Sequence, residues 1–556
     1  MEQARLPIAI ALSFVVFLLW NIFFSPPAPQ APVQDATRQP AAETPAATDQ
    51  AKPGAVPQTE APAAPSGGGE AAPARAAGPA RSFKIETGLY AVTVSERGGA
   101  VVDMVLKEYR ERVEPDAPPK SLISQGMIGG SYLLSANGDL RDELASGTYQ
   151  SSESRDRITL DSEPFTLKLT NQTTDGLRVE KIYTFSPHSY LIGLKINIFN
   201  DGATNGPNQL QVTLRNIMSF ENQSYGFEGP SGLIDDSLVQ LKPDDIEEQK
   251  KGEGRIQWVS NESRYFMNSL IPQEGLQGQM FPAYEDKVLS NRLVFKTEPL
   301  GPQQQRSYDF SIFMGPKSLS TLRSLNNDLD RAIDFGWFDF IARPCLWFMN
   351  FIYRFIPNYG VAIIILTIVT RLAFWPLAGK SYKSMSEMRK LQPLMQEIRE
   401  KYKNDKARMN QEIMGLYRTY KINPMGGCLP MLIQLPVFFA LYQMLYQAIE
   451  LRHAPFIGWI NDLAAPDRLF NFGFSIPLMQ APYGIPVLTL IMGASMFLQQ
   501  KMSPPPGDPA QARMMMLLPL VFTFIFINFP SGLVLYWLVS NIVSIAQQYF
   551  TQKKMA

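Results

Sequence analysis

Arg371 is the residue whose type and position most suggest chemistry. It closes the run Ile365-Leu366-Thr367-Ile368-Val369-Thr370-Arg371, about 13 residues into an apolar stretch. A guanidinium at hydrocarbon depth costs about 2.5–3.5 kcal/mol on insertion scales and marks a functional position by default. The alternative is snorkelling towards nearby headgroups, because Lys380 follows nine residues later. Helical spacing places Thr367 and Trp375 on the face of Arg371. The apolar stretches offer Arg371 no carboxylate: Asp and Glu are absent between Asp339 and Glu387, from Ile413 to Ile449, and after Asp508. They offer neutral polarity instead, in Gln434, Gln443, Thr489, Ser495, Gln499, Thr523, Ser540, Asn541, Ser544 and Gln547. An arginine among amides and hydroxyls predicts a hydrated cavity open to the cytoplasm. The blander alternative is that these groups simply join helices.

Other chemistries find little support. Two cysteines and two histidines exclude a disulfide scaffold and any metal site built from Cys and His alone. Gly379-Lys380-Ser381 looks like the end of a phosphate-binding loop, but Phe374 stands where the first glycine is required. His188 and His453 lie in different segments with no acid–base partners in view, so enzymatic activity is not expected. Lys and Arg (51) balance Asp and Glu (51), which argues against nucleic acid as the main partner.

The elements that must position Arg371 follow from the apolar pattern. Residues 6–24 form an uncharged run long enough to span a bilayer, and we expect an uncleaved anchor rather than a signal peptide. Residues 25–81 hold 12 Pro and 18 Ala without an aromatic, Leu, Ile or Met, the composition of a disordered tether. Residues 82–318 alternate with period two. Examples are Tyr90 to Val94, Phe165 to Leu169, Leu191 to Phe199, Gln211 to Leu214 and Tyr308 to Phe313, with turns such as Gly98-Gly99 between them. That pattern predicts a large antiparallel sandwich.

A helix is expected over 319–334. A second, aromatic-rich helix over Trp337 to Ile356 carries Asp339, Arg343, Asn350 and Arg354 on one face, as at a membrane surface; a core helix under the β domain would show the same amphipathicity. Five apolar runs follow, at 358–378, 424–449, 483–501, 511–528 and 531–551, making six spans with the anchor. Segment 379–422 holds 11 Lys/Arg against 5 Asp/Glu, whereas Arg452 and Arg468 are the only Lys or Arg in the loop 450–482. The positive-inside rule puts the first in the cytoplasm and the second outside. Both termini are then cytoplasmic and the β domain lies outside. This topology separates Cys345 from Cys428 and forbids a disulfide between them. Met388, Leu391, Met395 and Ile398, then Met409, Ile413, Leu416 and Tyr417, predict a basic helical hairpin over 380–421. Such a hairpin can dock on ribosomal RNA, or can be a plain coiled hairpin with a solvated face.

Asn423-Pro424-Met425-Gly426-Gly427-Cys428-Leu429-Pro430, continuing to Gln434-Leu435-Pro436-Val437-Phe438, resembles the third-span signature of the YidC membrane protein insertases. Phe529-Pro530-Ser531-Gly532-Leu533-Val534-Leu535-Tyr536-Trp537 resembles their last hairpin. The resemblance covers the whole chain. It implies a multi-domain fold: a polytopic α-helical membrane core of six spans plus a periplasmic all-β super-sandwich, in the inner membrane of a Gram-negative bacterium. It implies a client groove with Arg371 as its arginine. Thr367, Tyr536 and Trp537 match positions that hold the second and sixth spans together. Leu435 and Phe438 match client contacts, and Gln434 stands beside them. Clients would be nascent inner-membrane proteins, handled alone or with the Sec translocon, without a cofactor. The tail stops at Lys553-Lys554-Met555-Ala556 instead of the long basic extension of many members, which shifts ribosome docking to the hairpin 380–421. The rival reading is an anion channel or secondary transporter, although coupled carriers place carboxylates at the midplane and these spans have none.

Overall fold

A computed structural model describes residues 80–124, 127, 129–137, 140–220, 226–242, 245–246, 252–420, 429–502 and 509–555. The expected anchor over 6–24 and nearly all of the expected tether lie outside the described residues. So does Asn423 to Cys428 of the signature.

The chain from 82 to 316 is β-rich. A five-stranded sheet carries Ser82–Glu86, Tyr90–Ser95 and Ala100–Arg110 among its strands, and a twelve-stranded sheet carries most of the rest. Leu191–Asn200 shows why these residues form strands. Ile192, Leu194, Ile196 and Ile198 are buried while Lys195 is exposed, so alternation puts one face in the core. Two details depart from an all-antiparallel, all-β reading. Ser82–Glu86 pairs in parallel with Arg157–Thr159, and a short helix, α1 (Leu140–Ser146), interrupts the strands.

The helix expected over 319–334 breaks. It is α2 (Leu319–Ser324) followed by a 3-10 turn at Leu329–Ala332. Asn326 (φ 53°) and Asp328 (φ 52°) between them take left-handed conformations that end a helix. The aromatic-rich helix is α3 (Asp339–Phe355). Its Ala342, Cys345, Leu346 and Met349 are buried, and Trp347 and Phe351 stack outside at 5.6 Å. On the polar stripe, Arg343 Nε donates to Asp339 at 2.6 Å, and Asn350 accepts from the Tyr359 hydroxyl at 3.2 Å.

The run expected as one span over 358–378 is divided. Helix α4 (Tyr359–Ala373) ends at Phe374, and α5 (Trp375–Lys401) leaves at 60°. Trp375, expected to share the face of Thr367 and Arg371, instead opens α5 beyond the bend. The bend also starts the first arm of the hairpin at Trp375 rather than 380. The second arm is α6 (Lys406–Thr419), capped by Asp405, whose side chain accepts from the Arg408 amide. Leu391, Met395 and Ile413 form a small core of their own between the arms.

Helices α7 (Leu429–Gln447), α8 (Val487–Met502), α9 (Pro509–Phe526) and α10 (Ser531–Met555) complete the chain. Among the described residues one helix, Ser531–Lys553, is by itself long and apolar enough to cross a membrane, or two if the bent pair α4–α5 counts as one. Close approach needs small residues at two places. A Cβ on Gly493 of α8 would strike Thr523 of α9, and one on Gly360 of α4 would strike the Phe456 ring of the loop after α7.

Candidate functional site

Helix α10 carries a polar stripe. Ser540, Ser544, Gln547 and Gln548 fall at i, i+4, i+7 and i+8, so they share one face, with Asn541 beside them. All five are buried. This face meets α4 and the start of α5. Gln547 Nε2 donates to the Trp375 carbonyl at 2.9 Å, just past the bend, and the Tyr382 hydroxyl donates to the Ser544 carbonyl at 3.5 Å. Asn541 Nδ2 turns the other way and donates to Ser495 of α8 at 3.0 Å.

Arg371 closes the stripe from the α4 side. Its Nε donates to Ser540 Oγ at 2.8 Å, Nη2 reaches the same oxygen, and Nη1 donates to Gln434 Oε1 of α7 at 2.9 Å. The Tyr536 hydroxyl lies within hydrogen-bonding reach of Gln434 and Ser540. One cation therefore draws three helices together through neutral acceptors. The described residues give it no ion pair, and a partly buried charge held only by dipoles remains strongly polarising.

The other expected site residues lie nearby in different settings. Thr367 is fully buried, and its hydroxyl donates to Ile363 within its own helix at 2.6 Å. Phe438 and Trp537 meet edge to face at 4.8 Å, in an aromatic cluster that includes Phe522 and Phe526. Phe438 is thus a packing residue in this arrangement, while Leu435, one turn before Phe439, is half-buried. Gln548 is 1% exposed, and neither atom of its amide finds a partner among the described residues.

Sequence reasoning missed the fastening of the β domain. Arg264 Nε donates to the Tyr446 carbonyl at 2.8 Å, and its guanidinium lies over the Tyr446 ring at 3.6 Å. Arg452 Nη2 donates to the Arg110 carbonyl at 2.6 Å. Glu450 sits between Ser318 of the β-rich part and Asn350 of α3. Burial raises its carboxyl above the usual range, against hydrogen bonds from those two residues. The available signal was the charge clustered at 450–468, with Arg452 among its few cations. Asp467 was missed as well: it accepts from Trp459 Nε1 at 2.6 Å and from the Leu488 amide, capping the start of α8.

Residues 351–556 match the family of the 60Kd inner membrane protein, and residues 82–348 match the YidC periplasmic domain. A membrane protein insertase YidC from Syntrophobacter fumaroxidans is 40% identical over 99% of this chain and 100% of its own length. This chain belongs to the YidC family. A second YidC relative, from Syntrophus aciditrophicus, is 39% identical over 98% of this chain and 99% of its own. The solved structure of an active YidC insertase with its first transmembrane domain resolved is 19% identical, with 84% of this chain and 92% of that one covered, at a TM-score of 0.38. The periplasmic-domain match ends at 348 and the 60Kd inner-membrane match begins at 351, both within α3, so the two matches meet there and together span 82–556.

Proposed function

We propose that this chain is a membrane protein insertase of the bacterial inner membrane, and that the Arg371 cluster lines a hydrophilic groove open to the cytoplasm. The observation that carries the reading is the arrangement of Arg371, Gln434 and Ser540 from three apolar helices, with no carboxylate among the partners the structure gives this arginine. The unmatched Gln548 amide on the same stripe supports water entry from the α5 end, since a buried amide without a partner is costly.

In this reading the six expected spans cross the membrane and the β domain lies in the periplasm. A client's apolar segment slides along α7 and α9 while its polar flank enters the groove. Arg371 attracts carboxylates or backbone carbonyls of that flank. Hydration shortens the path the flank crosses through hydrocarbon, and burial of the client segment in lipid drives release at about 25 cal/mol per Å2. No covalent step is needed. The hairpin α5–α6 supplies the ribosome-facing surface, and the chain works alone or beside the Sec translocon on nascent inner-membrane proteins.

The test places a photo-crosslinker at Gln434 or Leu435 and supplies stalled nascent membrane chains. Crosslinks to the client's polar flank are expected, and Arg371→Ala is expected to impair insertion of clients with acidic flanks by roughly tenfold, the effect of about 1.4 kcal/mol. Normal insertion of such clients by a folded, abundant variant would remove Arg371 from the mechanism. Anion flux through client-free liposomes, abolished by the same substitution, would favour a channel instead.

A further inference from the structure

The loop between α7 and α8 contains an uncharged stretch, residues 469–485. It forms a two-stranded ribbon from Leu469–Phe472 and Tyr483–Ile485 with a protruding turn. Phe470, Phe474 and Leu478 are 69%, 64% and 84% exposed, and Ile457 on the preceding turn is 68% exposed. Two of these apolar residues, Phe470 (φ 62°) and Leu478 (φ 66°), hold left-handed backbone conformations that residues with side chains rarely adopt. Strain of that kind persists only where the surroundings over-determine it.

The surroundings do so here. Arg468 donates to the carbonyls of Pro482 and Ile527, both at 2.8 Å, so its guanidinium ties the ribbon to the α9–α10 turn. Asn528 extends the tie, accepting from the Gln480 amide at 2.8 Å and donating to the Leu478 carbonyl at 2.9 Å. The Ser531 amide donates to the Ala465 carbonyl at 2.7 Å. Arg468 and Asn528 therefore fix the ribbon's main chain to the helix ends, and Phe470, Phe474 and Leu478 stand outwards on that frame beside the exposed but uncharged Asn471, Ser475 and Gln480. A water-facing loop would seldom set three large apolar side chains this exposed on a ribbon without a single charge.

We propose that the 469–485 ribbon is a lipid-inserted wedge: Phe470, Phe474 and Leu478 sit in the interfacial region of the leaflet adjoining the outer ends of α7 to α10. The occupant is lipid rather than protein because the patch is continuous in sequence with apolar α8 and carries no charge or salt-bridging group for a partner to read. Lipid accepts an uncharged aromatic and aliphatic surface without directional contacts. The inference rests on the reading that α7 to α10 cross the membrane.

The test uses the full chain in phospholipid vesicles, with Cys345 and Cys428 replaced by Ala and single spin-labelled cysteines introduced. Collision with oxygen and with a water-soluble nickel chelate gives depth. Phe474→Cys and Leu478→Cys are expected to collide with oxygen several-fold more than with nickel, as Leu520→Cys on α9 does, while Glu298→Cys in the β domain shows the opposite ratio. A water-like ratio at 474 and 478 with a lipid-like ratio at 520 overturns the wedge and leaves the spans standing. Low collision with both reagents at 474 and 478 means that a second copy or another protein covers the patch, and also overturns it. A water-like ratio at 520 removes the membrane reading on which the wedge depends. Retained thermal midpoints in the labelled chains exclude misfolding as the cause of any of these.

Discussion

At the scale of single residues, two cations withdrawn from water depend on their hydrogen-bond acceptors: Arg371, partly buried, and Lys181, fully buried. Arg371 depends on Ser540 for two of its donors. Ser540→Ala is expected to destabilise the helical region by about 1.5–3 kcal/mol, the value of a hydrogen bond to a charged group. A thermal midpoint in detergent measures this, and Ser540→Thr, which keeps the oxygen, should stay close to the parent. In the β domain Lys181 is fully buried, with its ammonium donating to the carbonyls of Gly98 at 2.8 Å and Tyr132 at 3.1 Å. Burial pulls its pKa down to about 7 from 10.5. Between those two values the unfolded chain binds more protons than the folded one, so stability rises with pH across that window, and the cost of the buried charge is fully present below about 7. Unfolding of the β domain followed from pH 6 to pH 9.5 should show that rise. Lys181→Met should flatten the slope while lowering stability, because the Gly98 and Tyr132 carbonyls lose their donor.

At the scale of elements, the helical region is held by close approach at small residues and by a bend. Gly493 lets α8 press against Thr523 of α9. Gly493→Val is expected to cost about 1–3 kcal/mol by overpacking, seen as a lowered thermal midpoint. Thr523→Ala in the same chain should restore part of the loss, and an absence of rescue would show that α8 and α9 do not meet through this pair. The bend at Phe374 is the other device. It divides one apolar run between α4 and α5, directs α5 into the hairpin, and leaves the Trp375 carbonyl facing the α10 stripe, where Gln547 meets it.

At the scale of the molecule, the β domain is fastened to the C-terminal end of α7 and the loop beyond it by Arg264 and Arg452, each donating to a main-chain carbonyl across the junction. Both guanidiniums also lie against aromatic rings, Arg264 on Tyr446 at 3.6 Å and Arg452 on Phe266 at 5.3 Å. Removing both, as Arg264→Ala with Arg452→Ala, should loosen the junction without unfolding either side. The expected sign is faster proteolysis between residues 316 and 339, with unchanged hydrogen-exchange protection in the β core. Unchanged proteolysis would mean that the apolar contacts of α3 alone hold the halves together.

Much of this was legible from the residues. Alternation in Leu191–Asn200 identifies a strand because a sheet face repeats every second residue, and Arg371 stood out as a candidate because it is a lone charge in a long apolar run. The polar residues of α10 were visible as a set for the same reason. The partners of Arg371 were not, since Gln434 and Ser540 stand 63 and 169 residues away and only packing chooses among ten candidate amides and hydroxyls. The break at Phe374 was equally hidden: hydropathy is blind to helix direction, and the run from 358 to 378 is apolar on both sides of the bend. Composition and periodicity marked which segments are apolar and which alternate. Which polar groups face one another there was decided by tertiary structure, because a hydrogen bond needs atoms within about 3 Å and no local pattern encodes that distance.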